Sequence, residues 1–303
     1  TWRPVDPAAK WTGLLVDPNA VEPLRTLRAA GHFTSLDTWG DTTLGMVTGN
    51  NRYFALSPAR VKALGLTRKD LIRLSPPGSA HLRGLELSSD AMTRLGQKDK
   101  ATWLFRPTGD PSPASHAYIE AGHLAGVDEA YKCRVRKPWY RVPLLPPADL
   151  LLTCMNADTP RLTTNSARAH HLNSVHGVYL NSDLADLGRE LLPLASLNSV
   201  TLLNAEMVGR SYGGGILKLE PREADTWAMP SPDHIRSCAD ELRAIKAKVA
   251  TLLRYGKLAQ AVEMVDRVLL TDAGLVTEAE LEQVRTAHAA MTSRRTARGR
   301  SGR

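Results

Sequence analysis

Between Tyr131 and Arg141 the chain reads Tyr131-Lys132-Cys133-Arg134-Val135-Arg136-Lys137-Pro138-Trp139-Tyr140-Arg141: five cations, three aromatics and no acid in eleven residues. Read as a strand, this run places Lys132, Arg134 and Arg136 on one face and Cys133 and Val135 on the other, because successive side chains alternate. One buried face and one cationic face suit phosphates, and an Arg fork can also grip a guanine edge. A basic edge strand kept soluble by its charge is the plainer alternative. Trp139 and Tyr140 beside the charges favour nucleic acid, with Lys137 extending the cationic set. Pro138 cannot donate to a ladder, so the strand is expected to end there, with one aromatic ring packing beneath it and the other bordering the ligand.

Two further segments offer polar or flexible groups. Thr48-Gly49-Asn50-Asn51-Arg52 reads as a tight turn, since Gly and Asn tolerate positive φ. It is either a plain hairpin or a loop presenting Asn50, Asn51 and Arg52 to a polar ligand. Arg210-Ser211-Tyr212-Gly213-Gly214-Gly215, with Lys218 beyond it, allows close backbone approach. No Gly-Lys-Ser/Thr or dinucleotide fingerprint accompanies the glycines, so close packing is the default. His170, His171 and His176 lack a Cys pair or a His-Glu-x-x-His pattern, so they are expected to pack or hydrogen-bond rather than hold a metal. No nucleophile–base arrangement is legible, and no catalytic residue is assigned.

The elements behind these groups fall into four expected regions. Residues 1–45 are a mixed lead-in or linker, with a helix near Val21–Ala30 stopped at Gly31. Residues 46–231 form a long domain, irregular and rich in turn residues. Short strand-like runs appear at 101–105, 150–153 and 178–180, and Leu191, Leu194, Leu197, Val200 and Leu203 predict one helix over 187–209. Residues 232–293 form a helical bundle. Ile235, Leu242, Ile245, Val249 and Leu252 share a stripe, Gly256 breaks it, Asp272-Ala273-Gly274 turns the chain, and Thr277–Glu280 is a capping box. Residues 294–303 are expected to be a basic disordered tail.

The 303 residues are 43% hydrophobic, enough for a sizeable core and against a wholly disordered chain. Five of the net +8 charges lie in Met291–Arg303, which contains no acid. The three cysteines, an odd and scattered set, argue against a disulfide framework and for the cytoplasm. No apolar run is long enough to span a membrane.

In order, Gly45–Phe54, Cys133–Pro143, His171–Val178, Leu197–Ser199, Gly209–Lys218 and Pro230–Pro232 resemble the C-terminal target-recognition region of gamma-class, TaqI-like N6-adenine DNA methyltransferases. These belong to restriction–modification and phage-defence systems, and the resemblance covers roughly residues 10–235. It implies an α+β fold, an irregular mixed-sheet recognition domain followed by a C-terminal helical bundle. It also implies double-stranded DNA as ligand, contacted by Asn50, Asn51, Arg52, Lys132, Arg134, Arg136, Lys137, Trp139, Tyr140, Arg210, Tyr212, Gly213 and Lys218. The family's Asn-Pro-Pro-Tyr/Phe tetrapeptide and its Gly-rich S-adenosylmethionine loop are missing from the sequence. The resemblance therefore implies that the cofactor and methyl transfer belong to a partner catalytic domain or subunit. Two other readings remain open: an assembly subunit using the helical pair, or a complete enzyme with an unread site.

Overall fold

The computed structural model describes Thr12 and residues 15–300, with side chains to Ala297. Helices start in one recurrent way: Ser, Asn or Asp at the cap, often followed by Pro at the first helical position, where its missing N–H costs nothing. In the first third lie α1 (Pro18–Ala29), β1 (Phe33–Ser35), β2 (Gly40–Leu44), α2 (Asn51–Phe54), β3 (Ala55–Leu56), α3 (Pro58–Ala63), β4 (Leu71–Arg73) and α4 (Ser89–Gln97). Asp17, Asn50, Ser57 and Ser88 cap their helices through side-chain oxygens. The middle holds β5 (Trp103–Phe105), α5 (Pro113–Leu124), α6 (Tyr131–Arg134), β6 (Leu150–Thr153), β7 (Met155–Asn156), β8 (Leu162–Thr164), β9 (Val175–Leu180), α7 (Ala185–Ala195) and α8 (Ser199–Val208). The remainder comprises β10 (Arg210–Tyr212), β11 (Ile216–Lys218), α9 (Pro221–Asp225), β12 (Ala228–Pro230), α10 (Pro232–Ser237), α11 (Ala239–Arg254), α12 (Leu258–Asp266) and α13 (Glu278–Arg300).

The fold is α+β. The named strands pair antiparallel in four small sheets, ordered β1-β12, β10-β11-β7, β2-β9-β6-β8 and β3-β5-β4. The parallel pairings are isolated bridges, such as Met46 with Leu172. Strand β6 is buried on both faces. Leu150 and Leu152 enter the main core, while Leu151 joins a smaller cluster with Leu82, Leu87 and Met92. Period-2 alternation places these neighbours on opposite sides. The main core gathers α1, Phe33, Trp39, β6, β9 and the helices from α7 onward. A second core, from Met46 to Leu172, holds Tyr53, Phe54, Leu104, Phe105, Tyr118 and Cys133.

Three expectations change. Residues 17–44 are not a linker: α1 packs into the main core, and β2 is an edge strand of the central sheet, pairing with β9. The helix expected over 187–209 is two helices, α7 and α8, bent by 90°. Asn198 makes the break by capping α8, its Oδ1 accepting from Thr201 N at 2.8 Å. The fully buried Asp266 secures the corner, accepting from Ser199 N and Oγ at 2.6 Å each and from Arg285 at 3.0 Å. Finally, residues 294–300 continue α13 rather than forming a loose tail. Arg295 is 4% exposed and bonds Glu206 Oε1 at 2.8 Å, and it also reaches the carbonyls of Asp158 and Gly215. Residues 301–303 lie outside the described residues.

The C-terminal stripe forms as its spacing predicts. Ile235, Leu242 and Val249 are fully buried, Gly256 has a φ of 70°, and the Thr277–Glu280 capping box is present. Among the described residues no single helix is long and apolar enough to cross a membrane.

Candidate nucleic-acid interface

The cationic segment rests on the second core. Tyr53 and Tyr118 stack at 4.5 Å, and each hydroxyl donates to the other residue's carbonyl, Tyr53 at 3.0 Å and Tyr118 at 2.8 Å. This clasp ties α2 to α5. Asn50 starts α2, its Oδ1 accepting from Tyr53 N at 3.1 Å, and Thr48 Oγ1 donates to Asn51 Oδ1 at 2.6 Å. The Thr-Gly-Asn-Asn turn is thus a helix start, not a hairpin.

Residues 132–136 are not a strand. Tyr131–Arg134 is a single helical turn, α6, and the chain then turns again. The alternation Lys-Cys-Arg-Val-Arg is overridden by two anchors. Cys133 is fully buried, its thiol reaching the Thr48 carbonyl at 3.5 Å. Arg136 donates to the Thr48 carbonyl at 2.7 Å and to the Val47 carbonyl. Arg136 is therefore a clamp between segments, not a member of an outward cationic face. Val135, expected beside Cys133 on a buried face, is 61% exposed.

The same anchors bring two sequence-predicted clusters together. Gly49 has a φ of 90°, and a Cβ there would lie 3.1 Å from Cys133 Sγ and 3.2 Å from Lys132 Cβ. A side chain at this position would be strained and crowded at once. Trp139 turns inward, its ring 5.6 Å from Tyr53 and 6.3 Å from Phe54, and Tyr140 sits edge-on to it at 5.8 Å. Both half-buried rings support the second core, so the expected division into one packed ring and one outward ring is not what forms.

What remains outward is a knob. Arg52, Lys132, Arg134 and Lys137 are exposed, and Tyr131 is 65% exposed. Among the described residues none of these four cations pairs with an acid. Beside them a cavity of about 380 Å³ is lined by Met46, Val47, Val135, Pro143, Leu144 and Leu145, with Lys132 and Arg136 at its edge. Exposed Tyr131, Val135 and Leu144 were not singled out from sequence. The only available signal was their place among cations, and the strand reading had turned Val135 inward.

The third predicted cluster is built differently. Arg210 pairs with Glu223, and Lys218 pairs with Glu220 at 2.5 Å while lying 5.4 Å over the exposed Tyr212 ring. Gly213 is exposed at the hairpin tip. At Gly215, with φ 76°, a Cβ would sit 3.0 Å from Thr296 Cα, so α13 passes directly against the hairpin. His171 and His176 are buried, and His170 is half-buried. His176 Nε2 donates to the Leu219 carbonyl at 2.8 Å, and burial pushes His171 down to about 4.

The family described as "Type II methyltransferase M.Eco57I, C-terminal domain" matches residues 8–270. The chain belongs to this family. It is 32% identical over 203 residues to type II methyltransferase M.XamI of Xanthomonas campestris pv. amaranthicola, covering 64% of this chain and 35% of that protein. It is 21% identical over 226 residues to type II methyltransferase M.AccI of Acinetobacter calcoaceticus, covering 74% of this chain and 40% of that one. Two solved structures share the M.Eco57I C-terminal fold. The type IIG restriction endonuclease BpuSI superposes with a TM-score of 0.51 at 12% identity, covering 96% of this chain and 34% of that one. The type IIL restriction-modification enzyme MmeI, in complex with DNA, gives 0.53 at 12% identity over 86% of this chain and 36% of that one. This chain thus spans between a third and two-fifths of the length of these relatives, and corresponds to the C-terminal region of a restriction–modification methyltransferase.

Proposed function

We propose that this chain reads double-stranded DNA for an N6-adenine methyltransferase of a restriction–modification or phage-defence system. S-adenosylmethionine and the methyl transfer belong to a catalytic part outside this stretch. The observation that carries the reading is the knob at 131–137, where exposed cations with no acidic partner among the described residues stand beside exposed apolar side chains on the second core. Free cations release counterions from the phosphate backbone, whereas paired ones first have to break an existing bond. Arg52, Lys132, Arg134 and Lys137 are the primary contacts, with Asn51 beside them. Asn50, Arg136, Trp139 and Tyr140 hold the scaffold, and Arg210, Tyr212, Gly213 and Lys218 form a secondary surface. An adenine must leave the stack before its amino group can be methylated, and contacts to the flanking backbone offset that cost. The three free, buried cysteines support action in the reducing cytoplasm.

Fluorescence anisotropy with labelled duplex DNA tests this. With about 6 phosphate contacts, affinity falls on the order of 10³-fold between 50 and 200 mM salt. Absence of binding at low salt refutes the reading. Micromolar binding of S-adenosylmethionine to the isolated chain in calorimetry refutes the assignment of the cofactor to another part.

A further inference from the structure

We propose that Cys154, His176 and Glu220 form a site for one thiophilic divalent cation of the Zn²⁺ class, which ties the central sheet to the β10–β11 hairpin. Candidate ligand atoms of the three residues all lie within 4.8 Å of one another. They come from three separate places: Cys154 links β6 to β7, His176 lies on β9, and Glu220 precedes α9. Gaps of this size in the chain leave no recognisable spacing motif, so the expectation of no metal at His176 rested on local pattern alone.

The main chain of Leu219 holds the group together. Its N–H donates to the Cys154 carbonyl at 3.0 Å, and its carbonyl accepts from His176 Nε2 at 2.8 Å. A carbonyl only accepts, so Nε2 carries the proton and Nδ1 keeps its lone pair. His176 is fully buried, and Nδ1 has no hydrogen-bond partner among the described residues. An imidazole oriented through one nitrogen with the other left bare is the state of a metal-binding histidine.

A second orphan lies close by. Asp225 Oδ1 is also buried without a partner, and the Asp225 charge acts on His176 together with that of Glu220. A water supplies the fourth position, as at three-ligand zinc sites. Ligand atoms around tetrahedral Zn²⁺, at bonds of about 2.0–2.3 Å, sit roughly 3.3–3.8 Å apart. Closing from at most 4.8 Å to that spacing asks for a contraction on the order of 1 Å on binding. Glu220 can keep Lys218, because a carboxylate offers about four lone-pair sites. Burial pushes the Cys154 thiol up to about 11, so without metal it is protonated. On binding, its proton leaves to solvent and the thiolate bonds the metal. A sulfur, nitrogen and oxygen set suits Zn²⁺ or Co²⁺ and not Mg²⁺ or Ca²⁺.

The test is a Co²⁺ titration of the chelator-stripped chain under reducing conditions. One Co²⁺ per chain with a thiolate-to-cobalt charge-transfer band, reversed by Zn²⁺, is the expected result. Cys133→Ser and Cys238→Ser keep the band, Cys154→Ser abolishes it, and His176→Gln weakens binding by at least about 10-fold. A readout on the wild-type chain guards against misfolded variants: Zn²⁺ slows alkylation of Cys154, mapped by mass spectrometry, more than that of Cys133 or Cys238. No charge-transfer band in the wild-type chain, a band that survives Cys154→Ser, or equal protection of all three thiols overturns the proposal.

Discussion

The knob at 131–141 and the C-terminal run at 291–303 are both arginine-rich and acid-free, yet they end in opposite situations. Arg134 and its neighbours Lys132 and Lys137 face solvent with no acidic partner among the described residues. Arg295 is buried with Glu206, each side chain 3% exposed, and also binds backbone carbonyls. Arg294 reaches the Leu15 carbonyl at 2.6 Å. One run leaves charge available to a polyanion, and the other closes the fold. Composition counts cations, but partners decide what they do, since a buried guanidinium needs its carboxylate.

The strongest way to break this contrast is Arg295→Ala. It leaves Glu206 as a buried unpaired charge and should cost about 3–5 kcal/mol of stability, read by urea melts. The double change Glu206→Leu with Arg295→Met should regain much of that loss. A wild-type melting curve for Arg295→Ala would return the C-terminal run to the role of a loose tail. By the same reasoning, removing residues 294–303 should destabilise the fold, not merely weaken DNA binding.

Trp139→Ala comes next. Its ring fills space against Tyr53 and Phe54, so about 3 kcal/mol of stability should disappear. Normal stability with lost DNA affinity would instead move Trp139 into the interface.

Arg134→Ala should leave the melt within about 0.5 kcal/mol of wild type. It should weaken DNA binding by about 1–3 kcal/mol and relax one position if Arg134 reads a base. Lys132→Ala and Lys137→Ala should weaken all sequences alike and reduce the salt slope by about 1 each. Variants that bind as tightly as wild type would show the knob to be a solvated surface.

The smallest effect is expected at Arg210. Its charge is committed to Glu223, and Arg210→Ala should shift DNA binding and stability by about 0–1 kcal/mol each. A loss as large as that of Arg134→Ala would mean that DNA takes Arg210 from Glu223.

Much of the main core was legible because its signals are local. The stripe Ile235, Leu242 and Val249 needs only a helical period, and the Thr277–Glu280 box needs only four residues. Strands β6 and β9 were visible as apolar runs. The failures share a cause: the deciding partner lies far away in the chain. Arg295 depends on Glu206, and Arg136 on the carbonyls of Val47 and Thr48, so alternation and net charge both misled. The 90° corner hid for another reason, because Leu191 to Leu203 keep a regular spacing across a break that Asn198 makes by capping the next helix. In the 131–137 segment, the exposure of Lys132, Arg134 and Lys137 agrees with the outward cations expected from sequence, while the strand geometry does not form. Gly49 against Cys133 is what sets the orientation of the segment, and it is a contact between two loops.

The Arg136 clamp bears on how such a surface can change over time. It grips two peptide carbonyls, which every amino acid supplies, so its hold does not depend on the identity of the side chain at Val47. Tyr131, Lys132, Arg134, Val135 and Lys137 are likewise outward positions whose side chains are not needed to keep the loop in place. Substitutions at these sites can alter what the knob meets while its perch stays fixed. A library randomised there, with Cys133 and Arg136 retained, is therefore expected to consist mostly of folded proteins, so the chemistry this short stretch presents can diverge while the fold beneath it is inherited unchanged.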